Sequence, residues 1–141
     1  MVAFTKINDF AEQVLKAKHD FSTHVFKVLL TNVAPNPATA TGKADLTEIT
    51  AQNGYAAGGP TTTITLSESG GTAKVVASDV TVTASGGTIG PFRYAVIYND
   101  SATSPADALV GFYDYGSSVT LNSGESFTTD FDDTNGFYQL A

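Results

Sequence analysis

Two histidines, His19 and His24, stand five residues apart with Asp20 between them. Imidazole and carboxylate together can hold a metal or move a proton. The spacing does not match a zinc-binding His-Glu-x-x-His helix, where two imidazoles four apart share a face. The preferred reading has His24 opening a strand and His19 in a polar connection. The stretch "NGYAAGGP" (Asn53 to Pro60) sets Gly54 and Gly59 at the spacing of a phosphate-cradling loop. Such a loop needs Lys directly after the second glycine. Pro60 stands there and lacks even a backbone donor. What is left is a turn at Asn53-Gly54 leading into a strand, with Tyr55 either a core plug or an interface anchor.

"DFDDTNGF" (Asp130 to Phe137) has the look of a calcium loop. With Gly136 at the loop's sixth position, Phe131 falls at the first, where Asp is needed, and no Glu follows Gly136. A solvated turn is the reading. Carboxylate pairs such as Asp45/Glu48 or Asp107/Asp114 could serve as acid and base in glycoside cleavage, yet nothing sets two of them across a cleft. There is no Gly-x-Ser-x-Gly elbow. The sequence contains no cysteine, which removes thiolate metal sites, disulfides and a cysteine nucleophile. The expectation is a protein that is not an enzyme, with no catalytic residue, no metal and no cofactor.

Charge narrows the partners. Seven Lys and Arg face fourteen Asp and Glu, a formal net charge of -7. Nucleic-acid binding needs clustered cations to meet phosphates, so it is set aside. Docking on an anionic membrane is set aside for the same reason. No apolar run approaches the roughly 20 residues of a membrane-spanning helix. In "MVAFTKINDFAEQVLKAKHD" the charges Lys6, Asp9, Glu12 and Lys16 interrupt any secretion-signal core. Folding in a cytoplasm is expected.

The elements that would position these residues are mostly strands. Only "NDFAEQVLKAKHDF" competes for helix, with Asp9 as cap, Glu12 closing a capping box, and Phe10, Val14 and Ala17 on one face. "HVFKVLLT" puts Phe26, Val28 and Leu30 on one side and Val25 and Leu29 on the other. "TTTITLSES" alternates, with Ile64 and Leu66 pointing one way. Val80 and Val82 share a face in "DVTVTAS". "FRYAVIYN" lines up Phe92, Tyr94, Val96 and Tyr98 against Arg93, Ala95 and Ile97. "ALVGFYDYG", "SSVTL" and "ESFTTDF" follow, contributing Val119, Leu121 and Phe127 to the expected core. Gly70-Gly71, Gly86-Gly87, Asn122-Ser123-Gly124 and Asn135-Gly136 punctuate them as turns. The 141 residues thus predict an all-β fold. It is a single antiparallel β-sandwich or barrel with at most one short N-terminal helix. One β domain spans 1–141, with an extended segment 1–9 and a loop 33–44 around Pro35 and Pro37.

Most of the aromatic residues should be core, but Tyr113 and Tyr115 leave one face of their strand partly outward, as at protein contacts. Four segments in order, "FKVLLTNVAPN", "ADLTEITAQNGYAAGG", "FRYAVIYND" and "LVGFYDYGSSVTLNSGESFT", resemble the capsid cement (decoration) proteins of tailed bacteriophages. These are small structural proteins encoded beside the major capsid protein. The resemblance covers about Phe21 to Phe131 and is most specific at "NGYAAGG" and "YDYGSSVTLNSGE". It implies a jelly-roll-like β fold, attachment to the outer capsid surface of a virion, the major capsid protein as partner, and self-association, most simply as a homodimer. Phe4, Pro35, Pro37, Tyr55, Tyr113 and Tyr115 are the expected contact residues. The alternatives are a tail or head-fibre component and, in a different class, a small carbohydrate-binding β-sandwich.

Overall fold

The alternating runs form antiparallel strands in a computed structural model that describes residues 3–141. Five strands make the central sheet: β1 (Phe4–Lys6), β2 (Phe26–Thr31), β3 (Thr61–Thr62), β7 (Ile89–Asn99) and β8 (Leu109–Leu121), in the order β1-β8-β7-β2-β3. Against one face lie two smaller sheets. One has the order β10-β5-β4, from β4 (Ile64–Ser69), β5 (Thr72–Ala77) and β10 (Tyr138–Leu140). The other is the ribbon of β6 (Val80–Thr83) and β9 (Ser126–Thr129). The arrangement is an antiparallel β-sandwich with one short helix, α1 (Asn8–Leu15).

Between the layers sits the larger core. Phe26, Val28, Leu30, Phe92, Ile97 and Val110 of the central sheet meet Ala77, Val80 and Val82 of the facing strands, with Phe10 of α1 closing one end. The central sheet is covered on its other face too. Leu29, Tyr94, Val96, Tyr98, Leu109 and Phe112 pack there with Ile7, Ala40 and Leu46. Ile7 and the loop after β2 make this cover, so most of β2 and the 94–99 end of β7 are buried on both sides and read as nearly continuous apolar runs.

Several expectations need correction. Phe92 and Tyr94 do not share a face: Phe92 belongs to the inter-sheet core and Tyr94 to the opposite cluster. A register shift lies between them, where Phe92 pairs with Val119 and Tyr94 with Asp114. Five steps on β8 thus oppose two on β7, and such a bulge breaks the period-2 alternation. Leu66 is not core but 49% exposed, because β4 and β5 extend beyond the body as a hairpin. Asp9 does not cap α1. The helix starts two residues earlier with Ile7 as its N-cap and no side-chain cap, and Asp9 instead accepts from Gln13. The helix also stops at Leu15, so Ala17, at φ 58, is not on its face.

The N-terminal segment is not free either. Met1 and Val2 lie outside the described residues. Phe4–Lys6 adds β1 to the edge of β8, Phe4 opposite Tyr113. The loop 33–44 is held down: Pro37 accepts a hydrogen bond from Asn8, Pro35 is buried, and Lys43–Asp45 forms a 3₁₀ turn. No helix of the described residues is long and apolar enough to cross a membrane.

Candidate interaction surface

The glycine-rich stretch forms a hub of internal hydrogen bonds. The Tyr55 hydroxyl receives the Leu30 backbone N–H at 3.0 Å and donates to Glu48 Oε1 at 2.8 Å. The same carboxylate oxygen accepts the Gly58 N–H at 2.6 Å. Tyr98, from β7, donates its hydroxyl to the Gly58 carbonyl at 2.7 Å, and Lys43 Nζ sits 5.6 Å from its ring centre. Burial pushes both tyrosine hydroxyls well above their ordinary pKa, which keeps them protonated donors. The donors a phosphate would need are therefore spent on the protein itself. Tyr55, 3% exposed, is a core plug. Gly59 explains the composition. Its φ is 76°, and a Cβ there would lie 1.8 Å from the Val28 carbonyl oxygen, so the chain can press against β2 only without a side chain.

The two histidines meet in space. The side-chain amide nitrogen of Asn99 lies 3.1 Å from His19 Nδ1 and 2.9 Å from His24 Nδ1. His19 is not in a polar connection as expected. It is buried, its ring within 5.0 Å of Phe10 and stacked on Phe21. Among the described residues its Nε2 has no hydrogen-bond partner. Apolar rings on its faces and an amide at its edge make this a structural pair; no group of three ligating residues gathers among the described residues. Asp132 likewise turns inward on its own loop, accepting the backbone N–H groups of Thr134 and Asn135. That is an Asx turn closing "DFDDTNGF".

One of the surface clefts lies between the central sheet and β9 and is lined mostly by aromatic and apolar side chains. It holds about 210 Å³ and is lined by Arg93, Ala95, Tyr113, Tyr115, Phe127 and the Thr128–Asp130 strand end. The irregularity in β8 makes it. Tyr115 follows the last regular pair, Tyr94 with Asp114, and the chain then turns through Gly116 at φ 98. Tyr115 is thereby 52% exposed, its ring 5.5 Å from Phe127 at a steep angle. Phe127 in turn meets Phe92 edge-on at 4.9 Å, which ties the rim to the core.

Arg93 is fixed at one side. Its Nε and Nη2 donate to the two oxygens of Asp114 at 2.7 and 3.0 Å. The pairing lowers the Asp114 carboxyl, helped by the Gly116 N–H, and raises the guanidinium. Nη1 takes no part in this pair. Tyr113 contributes only an edge. It is 8% exposed and packed between Phe4 at 5.2 Å and Phe131 at 5.5 Å, and burial beside Asp132 and Asp130 pushes its hydroxyl up to about 12.

Of the expected contact residues, Tyr113 and Tyr115 come together here, and Phe4 stands behind Tyr113. Pro35 and Tyr55 are buried, and Pro37 is half-buried and tied to α1. Sequence reasoning missed Arg93 and Phe127. Arg93 was legible as the lone charge in "FRYAVIYN", and Phe127 was assigned wholly to the core. No protein-family model, curated protein or solved structure matches this chain.

Proposed function

We propose that this protein is a bacteriophage capsid decoration protein that binds the outer shell and bridges major capsid protein subunits. The observation that carries the reading is where one of the two most specific resembling segments falls. "YDYGSSVTLNSGE" begins at Tyr113 and supplies Tyr115, the exposed aromatic wall of the cleft. A cleft of about 210 Å³ is smaller than the roughly 300–1,000 Å³ of small-molecule sites. It suits one or two partner side chains, with tyrosine and arginine at the rim as in interface hot spots.

A binder of the assembled lattice that ignores separate subunits stabilises the lattice by linkage. Two copies joined to each other gain further by effective concentration. The acidic surface suits a protein present in many copies without condensing on packaged nucleic acid. The test is to prepare particles with and without the protein and follow DNA release on heating. A higher release temperature with the protein, at a copy number near that of the capsid subunit, is the expected result. Equal temperatures would discard the role. A few copies per virion would give the protein to the tail or a head fibre.

A second reading, a small carbohydrate-binding β-sandwich, is favoured by one observation: an exposed tyrosine beside a fixed arginine and Asp130. Titration with a panel of host surface glycans separates the two. Saturable binding lost in Tyr115→Ala would favour it.

A further inference from the structure

The β4–β5 hairpin is closed by Gly70 and Gly71, both with positive φ (59° and 89°), in the two-residue turn whose twist suits paired strands. Ser69 pairs with Thr72 across this turn. Alternate residues then exchange backbone bonds with β5: Ser69, Ser67 and Thr65, a pattern continued by the Ser78 N–H to Thr63 carbonyl bond. The N–H and C=O groups of Ile64, Leu66 and Glu68 point the other way. β4 is the end of its sheet, and among the described residues nothing pairs on that side.

Edge strands are usually blunted by brevity, lysine, proline or a bulge. The other edges of the two larger sheets follow this rule. β1 has three residues and Lys6, β3 has two residues after Pro60, and β10 has three. β4 has six residues, "ITLSES", in unbroken register with β5 and with no cation or proline. It carries Leu66 at 49% exposure.

We propose that β4 is the dimer interface: a second copy of the chain adds its own β4 antiparallel across a two-fold axis at Leu66, making the six-stranded sheet β10-β5-β4-β4-β5-β10. The strand is complementary to itself in this register. Leu66 faces Leu66 of the other copy, Ile64 faces Glu68, and Thr65 faces Ser67, a hydroxyl pair of the kind that stabilises cross-strand neighbours. All three outward residues exchange both backbone bonds. An axis at Glu68 would set like charges opposite each other. At Leu66 the two glutamates lie four residues apart along the ladder, about 13 Å, beyond the Debye length at physiological salt. Two-fold closure also uses up the edge, so association stops at two. No residue of β4 lines the Arg93–Tyr115 cleft. It specifies the self-association of the reading above without depending on which particle is bound.

The test uses the purified full chain in the absence of any particle, so its failure would not touch the capsid reading. Sedimentation equilibrium should give twice the monomer mass. Leu66→Pro removes an N–H that points away from β5, so it should yield a folded monomer with unchanged circular dichroism. Leu66→Lys, which keeps the backbone donor, should weaken dimerisation by at least tenfold. Because the chain has no cysteine, Leu66→Cys gives a clean cross-link. Facing Cα atoms about 5.5 Å apart are within disulfide reach, and mild oxidation should link the dimer quantitatively. Leu140→Cys, equally exposed on the far strand β10, should stay unlinked, since five strand spacings separate the copies by about 24 Å. A monomeric wild type, a dimer indifferent to both Leu66→Pro and Leu66→Lys, or linkage through Leu140→Cys but not Leu66→Cys would overturn the proposal. A monomer whose particle binding fails in Leu66→Lys would also overturn it and give the edge to a capsid strand.

Discussion

The Tyr98 hydroxyl donates a 2.7 Å hydrogen bond to the carbonyl of Gly58, forty positions earlier in the chain. With Tyr55 and Glu48 it fastens a glycine-rich loop onto the central sheet. Removing either hydroxyl leaves a buried backbone group without its partner. Tyr55→Phe leaves the Leu30 N–H unpaired inside β2 and should cost about 1–3 kcal/mol, read from the urea midpoint. A change under about 0.5 kcal/mol would mean that water replaces the hydroxyl.

Two glycines with positive φ should respond differently to the same methyl group. Gly70 sits at a hairpin tip with nothing within 4 Å of a new Cβ, so Gly70→Ala should cost only the left-handed strain of about 1–2 kcal/mol. At Gly59 the Val28 carbonyl oxygen occupies the space. Gly59→Ala should cost about 3–5 kcal/mol, overpacking added to the strain. Equal losses in thermal unfolding would contradict the close approach.

Acid should weaken the fold through His19. Burial, with the neighbouring His24 adding to it, lowers the imidazole from 6.5 to about 4. Between those values the unfolded chain takes up a proton that the folded one refuses. Stability therefore falls as the pH drops from 6.5 to 4 and is complete above that window. The loss should be on the order of 3 kcal/mol. Asp45, Asp114 and Asp132, held low by their hydrogen bonds, act only below their ordinary 3.8. Urea unfolding of wild type and His19→Phe across pH 4–7 checks this: the variant should lose the slope.

Core and rim aromatics should separate stability from binding. Phe92, fully buried, should cost about 3–5 kcal/mol when cut to alanine. Tyr115→Ala, at a half-exposed position, should change stability by no more than about 0.5 kcal/mol. It should nevertheless weaken particle binding by tenfold or more, measured by co-sedimentation. Intact binding by Tyr115→Ala would move the contact away from the cleft.

The strands and turns were legible because period-2 alternation and paired glycines act locally. Val28, Leu30, Val80 and Val82 are buried as their alternation implies. Leu66 obeys the same alternation and is exposed, since its sequence cannot say that the hairpin outruns the facing sheet. Phe92 and Tyr94 diverge because a register shift depends on the partner strand. The cleft was half legible. Tyr113 and Tyr115 stood out as adjacent aromatics, while Phe127 reaches them only once β9 is laid across β8. Pro35 misled because proline marks a loop without saying whether that loop is free, and this one covers Tyr94 and Tyr98 as part of the second apolar cluster.

That second cover divides the molecule kinetically. Amide protons of residues 28–31 in β2 and 96–99 in β7, buried on both faces, can reach solvent only when the whole sandwich opens, and should exchange at the rate of global unfolding. The β4–β5 tip, solvated on both faces, can open alone. In a two-fold dimer the amides of Leu66 and Glu68 would cross from the fast class to the slow one.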